Sequence, residues 1–148
     1  KVLKSSSSYR VKYLNGKTTT IYRSRFNRYR LYDINKDGIK ELLLYNDYEE
    51  NALFTFYNGK VTPLIYGTLR GIYVKGKYLI VQDGSSMSST YYVHVIEKGK
   101  LKLTCKLFET TSSIVAVPGY SVNGKKCSRA TFMKSSDKYL KNMKSLRW

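Results

Sequence analysis

Along the chain, short runs of alternating apolar and polar residues are interrupted by one recurring kind of reversal: Asn15-Gly16-Lys17, Asn58-Gly59-Lys60, Lys75-Gly76-Lys77, Lys98-Gly99-Lys100 and Asn123-Gly124-Lys125. Asn-Gly and Lys-Gly supply the positive φ angles that a two-residue hairpin turn requires, so each reversal predicts a pair of antiparallel strands. The flanking segments 9–14 with 18–23, 53–57 with 61–65, 72–74 with 78–82 and 91–97 with 101–108 supply those strands. In Leu101-Lys102-Leu103-Thr104-Cys105-Lys106-Leu107 the alternation predicts one apolar face turned inward and a lysine-bearing face in water. Pro63 and Pro118 lie in or beside strand candidates, where the missing N–H confines them to an edge or an end.

From Ser128 onward the turn signals stop. Ser128 is a helix N-cap candidate, and Phe132, Ser136, Tyr139, Leu140, Met143 and Leu146 follow near a 3.6-residue period, with Lys134, Lys138, Lys141 and Lys144 mostly outward. This predicts a basic amphipathic helix over 129–145. The expected fold class is mainly β: an antiparallel meander of short hairpins, with propeller-blade-like strands, and a C-terminal amphipathic helix. The 148 residues, with 15 Tyr against 5 Phe and one Trp, suit pleated, half-buried surfaces. They predict a single β domain over 9–148 after a disordered, Ser-rich segment at 1–8.

Charge changes the picture. The formal net charge is +17, and of only ten acids six (Asp33, Asp37, Glu41, Asp47, Glu49 and Glu50) fall in one short stretch. Residues 1–32 hold no acid, and Arg23, Arg25, Arg28 and Arg30 interleave with Phe26 and Tyr29. Such a segment can grip phosphates, sulfates or carboxylates, which makes these four arginines the candidate polyanion site. The expected partner is an anionic polymer or glycan at the cell surface. Nucleic acid is the second reading, since phosphate contacts and base stacking use the same side chains. A solvated face that keeps a Tyr-rich β domain soluble is the third.

No run of about 18 apolar residues is present to span a membrane. The start lacks the apolar core of a signal peptide, so an extracellular or surface location implies that a signal or anchor was removed. Cys105 and Cys127 have no CxxC spacing, and with His94 as the only histidine they cannot form a zinc site. A disulfide between them, closing about 20 residues, would add about 3 kcal/mol. The spacing fits a bridge and free thiols equally.

Chemistry concentrates in 33–41, where Asp33, Asn35 and Asp37 alternate and are followed by Gly38 and Glu41. Calcium takes six to eight oxygens at about 2.3–2.6 Å, and alternate positions of a tight loop can turn three side chains inward. Gly38 permits the reversal, the Ile39 carbonyl can point back, and Glu41 can close the shell. The candidate ligands are therefore Asp33, Asn35, Asp37, Ile39 and Glu41. An EF-hand would need an acid at the twelfth position, where Leu44 stands, and the flanking apolar runs predict strand, loop, strand instead. The same residue types also make polar turns without metal.

The stretch from Tyr32 through Asp33, Asn35, Asp37, Gly38 and Glu41 to Leu42-Leu43-Leu44, followed by Tyr57-Asn58-Gly59-Lys60-Val61, resembles the FG-GAP calcium-binding repeats of integrin α-subunit propellers and of related secreted or surface proteins of Gram-positive gut bacteria. The resemblance implies calcium held between two strands, and export or surface attachment. Lys40 stands where those relatives commonly have Pro. The loop occurs once, so a full propeller is excluded at this length.

No enzyme is expected. His94 lies within an apolar strand pattern, Ser5–Ser8 and Ser85–Ser89 read as loop material without a G-x-S-x-G elbow, and Asp83, Glu97 and Glu109 are a sparse supply for paired-carboxylate chemistry.

Overall fold

The computed structural model describes residues 7–110 and 119–147. Among the described residues, thirteen strands and one helix stand in chain order: β1 (Ser8–Lys12), β2 (Thr18–Tyr22), β3 (Arg28–Tyr32), β4 (Glu41–Tyr45), β5 (Glu50–Tyr57), β6 (Lys60–Thr68), β7 (Gly71–Lys75), β8 (Tyr78–Ser85), β9 (Ser88–Glu97), β10 (Lys100–Thr110), β11 (Tyr120–Val122), β12 (Lys125–Lys126), α1 (Arg129–Tyr139) and β13 (Lys144–Ser145). A 3₁₀ turn, Arg23–Arg25, precedes β3. All five predicted reversals join adjacent antiparallel strands. The left-handed backbone their residues allow is occupied at Asn58 (φ 48°) and Gly59 (φ 73°), for example.

The strands form a β1-β2 hairpin, a four-stranded meander β3-β4-β5-β6, and a seven-stranded sheet in the order β12-β11-β10-β9-β8-β7-β13. Alternation along β4 and β5 gives the meander two apolar faces. Leu42, Leu44, Ala52 and Phe54 pack with Val11, Ile21 and Phe26 under the hairpin. Leu43 and Leu53 face the seven-stranded sheet, meeting Ile72, Val74, Leu79, Val81 and Ile96. The far side of that sheet, with Ile80, Val93, Cys105 and Leu107, is covered by Phe132 and Tyr139 of α1. The layers are thus hairpin, meander, large sheet and helix, with a core in each gap. Pro63 lies in β6, an edge strand as its missing N–H requires; Pro118 lies outside the described residues.

Several expectations are corrected. Of the segment 1–8, residues 1–6 lie outside the described residues, whereas Ser7 accepts a hydrogen bond from the Arg23 N–H at 2.9 Å and Ser8 opens β1. The helix begins where predicted, with Ser128 Oγ accepting the Thr131 N–H at 3.3 Å, but it stops at Tyr139. Asn142 turns left-handed (φ 60°) and β13 pairs with the open edge of β7. Leu146 then enters the central core while its N–H reaches the Ile72 carbonyl at 2.9 Å, so sheet completion and burial together win over helical continuation.

In β10 the ladder shifts between Leu103 and Cys105. This bulge moves the apolar row across the sheet: Leu101 packs toward the meander, Leu103 is exposed, and Cys105 and Leu107 pack under α1. The single inward face expected for this strand is therefore split. Ser85, Ser88 and Ser89 likewise belong to strands β8 and β9 rather than to a loop. Cys105 and Cys127 are free thiols that share the α1 core. Among the described residues no helix is long and apolar enough to cross a membrane.

Candidate metal loop and cationic surfaces

Loop 33–40 joins β3 to β4, and the Tyr32–Glu41 register sets its two ends side by side. Two anchors shape it. Ile34 is fully buried in the central core. Glu41, only 1% exposed, accepts the Ile34 N–H on Oε2 at 2.8 Å and the Thr55 hydroxyl on Oε1 at 2.9 Å. Burial raises the Glu41 pKa above its ordinary value, and these two hydrogen bonds offset only part of that rise.

Between the anchors the chain turns at Lys36 (φ 65°) and Gly38 (φ 87°). Asp33 Oδ2 accepts the Gly38 N–H at 3.1 Å, Asn35 Oδ1 the Asp37 N–H at 3.3 Å, and Asp37 Oδ1 the Ile39 N–H at 2.8 Å. The Asn35 amide donates to Asp37 Oδ2 at 2.7 Å. The Lys36 ammonium lies over the Tyr32 ring, 5.1 Å from its centroid.

One atom is left over. Asp33 Oδ1 is buried and makes no hydrogen bond, although a buried carboxylate oxygen nearly always finds a donor or a cation. Asp33 thus has a free acceptor, and each Asp37 oxygen keeps a second lone pair. The Asn35 oxygen would have to turn from the Asp37 N–H toward an ion. Glu41 faces inward and braces the loop against β5, and among the described residues no three His, Cys, Asp or Glu side chains gather into a ready metal cluster. Of the predicted ligand side chains, Asp33 is the one with a buried oxygen that has no hydrogen-bond partner among the described residues.

The arginine-rich segment looks onto the acids of the β4–β5 turn. Arg25 pairs with Glu50 at 2.7 Å and Arg28 with Asp47 at 2.9 Å, both arginine side chains remaining 52% exposed. Arg23 donates to the Phe26 carbonyl, and Arg30 donates to the Leu146 carbonyl at 3.1 Å. Asn46 organises this turn: its amide donates to the Arg25 carbonyl and to Glu50 Oε2, and its oxygen accepts the Tyr48 and Glu50 N–H groups. The guanidinium of Arg147, its side chain 8% exposed, closes the same region through Asn51 Oδ1 at 3.0 Å and the Glu49 and Leu69 carbonyls. Each of the four predicted polyanion residues therefore has a partner within the protein, although Arg23 Nε is buried without one, and neither Asn46 nor Arg147 carries a sequence signal for this role.

Among the described residues, Asp83, Glu97 and Glu109 are not brought together as a pair. Asp83 and Glu109 flank β9 opposite Thr90 and Ser89, successive residues, so they project from opposite faces of the sheet. Glu97, at the far end of β9, pairs with Lys102 at 3.3 Å. His94 is 7% exposed and stacks on Tyr92, its Nδ1 without a hydrogen bond; burial pulls its pKa down to about 4. It lines a cleft with Arg10, Lys12 and Lys100, for which no ion pair stands among the described residues. Sequence reasoning placed Arg10 and Lys12 in an acid-free stretch but had no means of joining Lys100 to them.

Comparison of the chain with protein families, characterised proteins and solved structures finds no match.

Proposed function

We propose that this chain is a non-catalytic binding module of the cell surface or extracellular space, taking an anionic polymer such as a cell-wall polymer or acidic glycan, with loop 33–41 closed by one calcium ion. The observation that carries this reading is the segregation of charge. Asp47, Glu49 and Glu50 are occupied by Arg28, Arg147 and Arg25, and Glu97 by Lys102. The 27 Lys and Arg also outnumber the 10 Asp and Glu, a net charge of +17 that the acids of the chain cannot balance. That excess repels itself at low ionic strength, and a polyanion relieves it. The unpartnered Asp33 Oδ1 and its neighbour Asp37 support the calcium, which would supply the positive charge that this buried oxygen lacks. The loop's resemblance to FG-GAP repeats supports export.

The test is calorimetric titration with polygalacturonate, using a neutral polysaccharide as control. Saturable binding of the acidic polymer, weakening steeply as salt rises, is expected. No binding at low salt overturns the reading, and displacement of the polymer by stoichiometric duplex DNA puts nucleic acid in its place.

A further inference from the structure

We infer that the cleft between β1, β6 and the β9–β10 turn binds a single oxyanion-bearing sugar unit, its phosphate, sulfate or carboxylate held by Arg10, Lys12 and Lys100 above His94. The sign of the ligand rests on the anionic-partner reading above; the place rests on the geometry of the cleft. Its volume, ≈ 550 Å³, lies within the range of about 300–1,000 Å³ usual for small-ligand sites.

The cations reach the cleft for local reasons. Val11 of β1 is buried under the hairpin, so its neighbours Arg10 and Lys12 project together from the opposite face. Lys100 follows Gly99 in a turn pressed flat on β5, where a Cβ on Gly99 would lie 2.9 Å from Tyr57. Among the described residues no acid lines the cleft. Three like charges facing one cavity repel each other, and a bound oxyanion reverses the sign of that interaction.

His94 belongs to the lining of the cleft, its ring stacked on Tyr92. The planar guanidinium of Arg10 can grip two oxygens at once. Leu64, Ile65 and Leu101 supply an apolar wall. Tyr13 borders both this cleft and an adjoining one of ≈ 210 Å³ that reaches Tyr92, so a polymer chain can continue past the bound unit.

His94 is the only histidine, so its imidazole proton resonances report on the cleft without assignment. The full chain is titrated with glucose 6-phosphate and with glucuronate, with glucose and sodium chloride as controls, and binding of polygalacturonate is measured on the same samples. A saturable shift of the His94 signals is expected with at least one of the anionic sugars, identifying phosphate or carboxylate as preferred. Affinity should fall at least about tenfold in the Arg10→Ala/Lys100→Ala double variant, which removes two exposed side chains and charge-assisted contacts. A polymer-binding protein whose His94 signals stay fixed, or move equally with sodium chloride or in the double variant, overturns the cleft and leaves the anionic-partner reading standing. Failure with the polymer and both sugars overturns the two together.

Discussion

Glu41 offers the sharpest perturbation of the loop, because its two carboxylate oxygens join three segments. Replacing it by Ala leaves the Ile34 N–H and the Thr55 hydroxyl, both in buried hydrogen bonds, without their acceptor. Each stranded donor costs about 1–3 kcal/mol, and lost packing adds to this, so Glu41→Ala should lose about 3–5 kcal/mol. Glu41→Gln behaves differently: the amide oxygen can accept from Ile34 while the amide nitrogen donates to the Thr55 hydroxyl oxygen, and no buried charge remains. Its stability in EDTA at neutral pH should equal or exceed that of the parent. The pH dependence follows. The folded-state pKa of Glu41 is raised, so the native protein binds this proton more tightly than the unfolded chain, and the contribution to stability is greatest below the ordinary carboxylate pKa. It declines as pH rises from that value to the raised one, and Glu41→Gln should lack the decline. Urea denaturation of the three proteins in EDTA across this range measures both effects. A Glu41→Ala protein within about 1 kcal/mol of the parent, less than the cost of one stranded donor, would refute the bracing role.

Burial of His94 acts with the opposite sign. Its pKa falls from 6.5 in the unfolded chain to about 4 in the fold, so stability present above pH 6.5 is lost as pH falls through that window, by about 3 kcal/mol in total; denaturant melts of the parent and His94→Gln should diverge there, and parallel curves would count against the buried neutral imidazole. Arg147→Ala should cost about 3 kcal/mol by stranding Asn51 Oδ1 and the Glu49 and Leu69 carbonyls. Arg147→Lys should rescue little in the same chemical denaturation, because an ammonium cannot reproduce the planar fork.

What the sequence revealed was local backbone chemistry. Asn-Gly and Lys-Gly announce a turn wherever they stand, and Ser128 announces a helix start through its own side chain, so five hairpins and one cap were legible. The end of the helix was not, because it depends on where Leu146 can be buried and on an open edge at β7. Nor was the bulge in β10: Leu101, Leu103, Cys105 and Leu107 read as one face until the ladder shift sends them to two. At the loop, the residue spacing marked the strand–loop–strand unit but gave no hint that Glu41 would turn inward to Thr55. The richness in arginine at 23–30 was visible, whereas the acids that occupy Arg25 and Arg28 come from another turn and meet them only through folding.

The calcium-closed loop is tested most directly by the melting temperature of EDTA-stripped protein as calcium is returned, with magnesium and the Asp33→Ala variant alongside. Binding to the folded state alone raises stability by about 2.7 kcal/mol at a hundredfold excess over Kd. A saturable rise with calcium, absent with magnesium and in Asp33→Ala, is the predicted result. A melting temperature indifferent to calcium, or a rise undiminished in Asp33→Ala, would contradict it.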